Sequence, residues 1–141
     1  MKKLIAAAII SSLPLIATAK PANDIAWSQK DANGNVSLNF YVYWSKTCPH
    51  CHKALPYIKR MARQHPWIKL HLKEVTADRG NIQDYIRIDR VTGGMARGAV
   101  PAFFYCGQAY TGYDNDNTTG RWLYEELKAC KANPADFDIS F

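Results

Sequence analysis

NFYVYWSKTCPHCHKALPYIKRMA, residues 39–62, joins an apolar run, a short polar turn, two cysteines three apart and a helical pattern. Phe40, Tyr41, Val42, Tyr43 and Trp44 are aromatic or β-branched without a polar break, which suits a strand buried on both faces. Residues 45–47 turn the chain. Beyond Pro49, the apolar residues Cys51, Leu55, Ile58 and Ala62 recur at steps of four, three and four, with Lys53, Lys59, Arg60 and Arg63 on the opposite face. That period predicts an amphipathic helix. Proline is tolerated in a first helical turn, where its missing N–H costs nothing. Cys48 is therefore expected at the helix N-terminus and Cys51 one turn inside it.

The chain has 141 residues, a length for one domain. Met1, Lys2 and Lys3 form a charged start, residues 4–16 are mostly apolar, and Ala17, Thr18 and Ala19 fit an A-x-A cleavage site. Residues 1–19 are thus expected to be a cleaved signal peptide, placing the protein in the periplasm or otherwise outside the cytoplasm. A retained membrane anchor fits less well, because the apolar run is short and contains Pro14. Without Lys2 and Lys3 the formal charge falls from +6 to +4, spread along the chain and too mild to argue for nucleic acid. Four cysteines in a small exported chain point to disulfide chemistry, as one close pair and one distant pair.

Around the central stretch, residues 20–35 form a polar lead-in, with Ile25 and Trp27 in a short strand and Asn33-Gly34 turning into residues 36–44. His65 and Pro66 stop the first helix. Residues 68–75 alternate as a strand with Ile68, Leu70 and Leu72 on one face and His71 pointing outward. Asn81 is a candidate cap for a second helix carrying Ile82, Tyr85, Ile86 and Asp89, which Gly93 and Gly94 end. After Pro101, residues 102–106 and 109–113 read as a hairpin turned at Gly107 and Gln108. A last helix follows, with Thr118 or Thr119 as cap and Trp122, Leu123, Leu127 and Cys130 toward the core. The order β-α-β-α-β-β-α gives an α/β fold. A strand-helix-strand unit implies a parallel pair with a right-handed crossover, and the closing hairpin is antiparallel.

These residues resemble the thioredoxin-like disulfide oxidoreductases. The likeness rests on the strand FYVYW, the CPHC motif at a helix start, Pro56 within that helix, RGAVP before the third strand, and the β-β-α ending. It covers about residues 36–130. CPHC resembles the DsbA-type motif, but the distance from Cys51 to Pro101 leaves no room for that type's helical insertion, so the body is thioredoxin-sized. The resemblance implies a thioredoxin-like fold over residues 36–131, a four-stranded mixed sheet flanked by three helices, with residues 132–141 as a tail. By the same likeness Cys48 is the attacking thiol, Cys51 the resolving thiol, Pro101 a cis-proline facing them, and Val100 the backbone offered to a peptide.

Physical chemistry supports these roles. A thiolate at Cys48 would meet unpaired helix N–H groups and the positive end of the helix dipole, with Pro49 shaping the turn and His50, Lys46, His52 and Lys53 nearby. Cys51, on the apolar stripe, is suited to close the disulfide and release a partner. Thioredoxins carry a buried carboxylate six residues before the first cysteine, and here that position is Val42. Water, Lys46 or Glu74 would have to substitute, or proton transfer at Cys51 is slow. With His50 in the dipeptide, this favours an oxidant or isomerase over a reductase.

In such a fold Cys106 and Cys130 both lie at the end away from Cys48, which predicts a structural disulfide in preference to an electron relay. The expected protein is a monomeric thiol:disulfide oxidoreductase, with no cofactor beyond its own Cys48–Cys51 couple and no metal. Its partners would be exported proteins with thiols or disulfides and a membrane redox protein that resets the site. Two other classes fit parts of the motif. CPHCH matches a c-type haem attachment segment, with His52 as proximal ligand and Met61 or Met95 as distal ligand. A zinc module would use Cys48, Cys51 and His50 or His52. Trp44 fits either a peptide groove or the core, and Met95 either substrate contact or filler.

Overall fold

The computed structural model describes residues 25–134. The signal-peptide expectation, most of the lead-in before Ile25 and the tail beyond residue 134 lie outside the described residues.

The elements are β1 (Ser28–Lys30), β2 (Val36–Trp44), α1 (Pro49–Gln64), β3 (Ile68–Glu74), α2 (Arg79–Val91), β4 (Ala102–Tyr105), β5 (Gln108–Thr111), a π-helical turn (Asp116–Gly120) and α3 (Arg121–Ala132). Together they form a mixed five-stranded sheet and three helices. β2 is the hub of the sheet. It pairs in parallel with β3 from Leu38–Ile68 to Trp44–Glu74, while β1 and β4 pair with it antiparallel, β1 over residues 36–38 and β4 over residues 41–43. Each β2 residue has only two edges, and β3 takes one along the strand's length. β1 and β4 therefore share the other, end to end, and β5 extends the sheet beyond β4.

Four strands were expected and five are present. The extra one lies in the lead-in at Ser28–Lys30, not at Ile25 and Trp27, because β2 extends past the end of β4 and leaves an edge that β1 fills. The β5 strand starts one residue early and ends at Thr111, because Cys106 and Gly107 make the turn. Both have positive φ (50° and 71°), as a two-residue type I′ hairpin turn requires.

Alternation along β2 sorts the core. Leu38, Phe40 and Val42 face one side with Ala54, Ile58 and Met61 of α1 and Leu123, Leu127 and Cys130 of α3. Tyr43 faces the other, with Tyr85 and Ile88 of α2 and Ala102 and Phe104 of β4. The sheet thus lies between α1 and α3 on one side and α2 on the other, which is why the β2 run has no polar break. Asn39 is the buried exception. Its amide donates to Ala26 O at 2.7 Å and its oxygen accepts from His71 Nε2 at 2.9 Å. His71 is accordingly half-buried and stacked on Tyr41, not directed outward.

Three helix details differ from expectation. Asp78, not Asn81, caps α2 by accepting from Gly80 N and Asn81 N. Asn81 instead donates to Glu74 O. Asn115 caps the turn before α3 through Asn117 N and Thr118 N, the role expected of Thr118 or Thr119. Trp122 is exposed and packs against Tyr110 across the surface, one residue off the buried stripe of Leu123, Leu127 and Cys130 on α3. Among the described residues no helix is long and apolar enough to cross a membrane.

Candidate functional site

The C-terminal end of β2 delivers the chain into a tight turn. Ser45 O accepts from Cys48 N at 3.1 Å, while Ser45 Oγ accepts from Thr47 N at 3.2 Å and lies 3.0 Å from Thr47 Oγ1. Cys48 is the N-cap of α1, in extended conformation, with Pro49 in the first turn and no acidic residue there. Its sulfur accepts from the backbone amide of Cys51 at 3.1 Å. The two sulfurs are joined as a disulfide, with Cα atoms 5.2 Å apart. Cys48 is half-buried and Cys51 is 0 % exposed, so only the first sulfur is open to attack.

Val100 and Pro101 meet this pair from the other side of the sheet's end. The Val100–Pro101 bond is cis, and Val100 O lies 3.5 Å from Cys48 Sγ. In the disulfide that sulfur has no proton. As a thiol it would donate to this carbonyl. The register explains the approach: Tyr43 pairs with Ala102, so the residues just before β4 fall beside the turn that follows β2. Cys48 and Cys51 therefore converge with Val100 and Pro101, although Cys48 and Val100 are 52 residues apart in sequence.

The histidines point in different directions. His50 Nδ1 is 2.9 Å from Tyr113 O, and His52 Nε2 is 2.7 Å from Lys46 O. A carbonyl only accepts, so each of these ring nitrogens carries a proton and donates. His52 commits its Nε2 to Lys46, Met61 is packed in the core beneath α1, and among the described residues no three His, Cys, Asp or Glu side chains come together as metal ligands.

Val42, at the position of the missing carboxylate, is fully buried in the apolar core. Glu74 is the nearest candidate substitute by register, paired with Trp44 at the same end of the sheet. Its oxygens accept from the Thr76 hydroxyl and from Ala77 N, Lys46 N and Thr76 N. These bonds, the Thr76 hydroxyl first, hold its pKa down at about 2. A carboxylate so stabilised is a poor proton acceptor near neutral pH; its work is to fasten the 74–77 loop to the active turn.

Sequence reasoning missed the part of the loop after β5. Tyr113 lends its carbonyl to His50, and its buried hydroxyl donates to Asp116 at 2.7 Å, while Asp116 also pairs with Arg60 of α1 at 3.3 Å. Burial first, then the bond to Asp116, raises the Tyr113 hydroxyl far above the ordinary tyrosine range, so it stays a donor. Trp44 is half-buried, edge-on to His52. Met95 is exposed.

At the opposite end, Cys106 and Cys130 are joined, with Cα atoms 6.4 Å apart. β4 runs away from the active turn, which puts its last residue at the far end of the sheet and separates the two disulfides. No protein-family model matches the chain, and no curated protein gives a significant match.

Proposed function

We propose that this protein is an exported, thioredoxin-like thiol:disulfide oxidoreductase acting on protein substrates, with Cys48 as attacking thiol and Cys51 as resolving thiol. The observation that carries the reading is the Cys48 sulfur at the cap of α1, receiving the Cys51 amide at 3.1 Å while Cys51 itself is sealed from solvent. A cap sulfur that accepts an N–H and sits at the positive end of a helix is stabilised as an anion, and the anion is the nucleophile.

The reaction is a pair of exchanges. In the oxidising direction a substrate thiolate attacks Cys48 Sγ, forming the mixed disulfide and expelling the Cys51 thiolate, which takes a proton. A second substrate thiolate then attacks the substrate sulfur of that mixed disulfide and expels the Cys48 thiolate. Two electrons pass from the substrate dithiol to the protein, and the substrate leaves with its own disulfide. The reverse sequence starts with the Cys48 thiolate on a substrate disulfide and ends with Cys51 closing on Cys48.

Stabilising the Cys48 thiolate stabilises the reduced protein and so makes the disulfide the stronger oxidant. The lack of a carboxylate at Val42 and the commitment of Glu74 to backbone amides leave Cys51 without a resident base, which slows reductive turnover. Both favour oxidation or isomerisation over reduction. Two disulfides, with the leader expected over residues 1–19, suit an oxidising compartment such as the periplasm, where a membrane redox partner would reset the couple.

Alkylation of the reduced protein at mildly acidic pH tests this. Cys48 should react about tenfold or more faster than a free cysteine, whose thiol is about 8.5 in pKa. Equal rates would remove the basis of the proposal. Equilibration with glutathione then sets the direction: a potential near about −120 mV marks an oxidant and one near about −270 mV a reductase.

A further inference from the structure

Between α2 and the segment of residues 94–100 lies a cleft of about 580 Å³, with Val100, the neighbour of the Cys48 sulfur, in its lining. Its floor is apolar. Ile82 and Ile86, one turn apart on α2, are 38 % and 46 % exposed over it, and Tyr85 and Val75 complete the lining.

The walls are held in place without a ligand. Tyr85 donates its hydroxyl to Ala99 O at 2.8 Å, and Asp89 accepts from Ala96 N and Arg97 N at 2.8 and 3.1 Å. A cleft fixed in this way has little ordering cost to meet on binding. Its charges are unequally used. The Asp89 oxygens are taken up by backbone amides, whereas Arg90 and Arg97, which also line the cleft, have no ion-pair partner among the described residues. The unspent polar groups of the cleft are therefore cationic donors, and a guanidinium is a good partner for a carboxylate.

We infer that this cleft docks the polypeptide whose cysteine reacts at Cys48, and that it selects an extended segment bearing bulky apolar side chains and a carboxylate. The apolar side chains lie over Ile82 and Ile86, and the carboxylate pairs with Arg90 and Arg97. Val100 connects the two regions, because it lines the cleft and its carbonyl lies 3.5 Å from the Cys48 sulfur. The inference rests on the proposed exchange chemistry and adds to it the choice of substrate.

The test uses the reduced full chain and short synthetic peptides, each with one cysteine held as its mixed disulfide with glutathione. Cys48 attacks the peptide sulfur and releases glutathione, then Cys51 closes on Cys48 and releases the peptide thiol, so the dithiol supplies both electrons. Peptides with leucine or phenylalanine and glutamate near the cysteine are compared with peptides carrying serine and lysine there, and with oxidised glutathione. The apolar acidic peptides should exceed the others in kcat/KM by about tenfold, mostly through KM, and the margin should shrink with salt. In Arg90→Glu, Arg97→Gln and the double variant Ile82→Ser with Ile86→Ser, the ratio of peptide to glutathione kcat/KM should fall toward one. Exchange with equal kcat/KM for all peptides in the native chain would overturn the docking inference and leave the chemistry standing. No exchange with any peptide or with glutathione would overturn the chemistry itself.

Discussion

The backbone amide of Cys51 donates to the sulfur of Cys48 across 3.1 Å, so the first turn of α1 solvates its own N-cap residue. The donor's side chain is buried and the acceptor's is not. From this asymmetry the two serine variants should behave differently. Cys51→Ser keeps the reactive sulfur and loses the resolver, and should accumulate a stable mixed disulfide with glutathione, seen as added mass. Cys48→Ser should accumulate none, since the remaining thiol cannot be reached. Equal trapping by both variants would contradict the assigned order of attack.

His50 sits two residues into the motif with its Nδ1–H held by Tyr113 O at 2.9 Å. This fixes the ring's tautomer and holds the imidazole at its place between the two cysteines of the motif. His50→Ala removes that neighbour and should make the couple less oxidising by about 30 mV, a factor of about ten in the exchange constant. Redox titration against glutathione measures it. An unchanged potential would confine His50 to anchoring the loop after β5.

The elements that were legible in the sequence are those whose residues follow one period. The β2 run and the α1 stripe carry their own signals, and the parallel pairing with β3 follows from the helix between them. The meeting of Cys48 with Val100 and Pro101 was legible only through resemblance, because the register that brings them together is a property of the whole sheet. Other features depend on contacts with no local mark. The choice of Asp78 over Asn81 as cap turns on a single residue's φ/ψ, and both residue types suit the role. A backbone carbonyl such as Tyr113 O, offered to His50 from 63 residues away, leaves no trace in side-chain pattern. Trp122 stands one residue before the stripe of Leu123, Leu127 and Cys130, about 100° round the helix from Leu123, so its apolar character alone did not show that it lies outside the core.

Glu74 makes the fold acid-sensitive near the site. Its folded-state pKa is depressed from 4.5 to about 2, with the Thr76 hydroxyl the chief cause. A depressed carboxylate contributes stability that is present above its unfolded pKa and lost as pH falls through the folded one. The contribution should therefore fade between about pH 4.5 and pH 2. Glu74→Gln should flatten this part of the stability profile, as read by thermal melts across that range. A variant whose profile stays parallel to the native one would assign the acid loss elsewhere.

The Cys106–Cys130 disulfide closes a loop with a sequence separation of 24 residues at the end of the sheet away from Cys48. Chain entropy puts its contribution at about 3 kcal/mol. Replacing both cysteines by alanine should lower the denaturation midpoint accordingly while the Cys48–Cys51 potential holds. A shifted potential with unchanged stability would instead favour the relay role.

Gly120 is needed for close approach, not for backbone freedom, since its φ and ψ are those of an ordinary helix, −60° and −50°. A Cβ there would lie 2.7 Å from the Tyr113 hydroxyl oxygen and 2.8 and 2.9 Å from Tyr57 ring carbons, closer than real Cβ contacts allow. Gly120 thus lets the loop after β5 pack down on α1, where Asp116 ties Tyr113 to Arg60 and the Tyr113 carbonyl reaches His50. Gly120→Ala must push the rings apart, at a cost of about 1–3 kcal/mol. Its thermal midpoint should fall, and the shift should be smaller in a Tyr113→Phe background, where the nearest obstructing atom is gone. Strict additivity of the two substitutions would mean that the hydroxyl moves aside freely, and the steric account of Gly120 would then rest on Tyr57 alone.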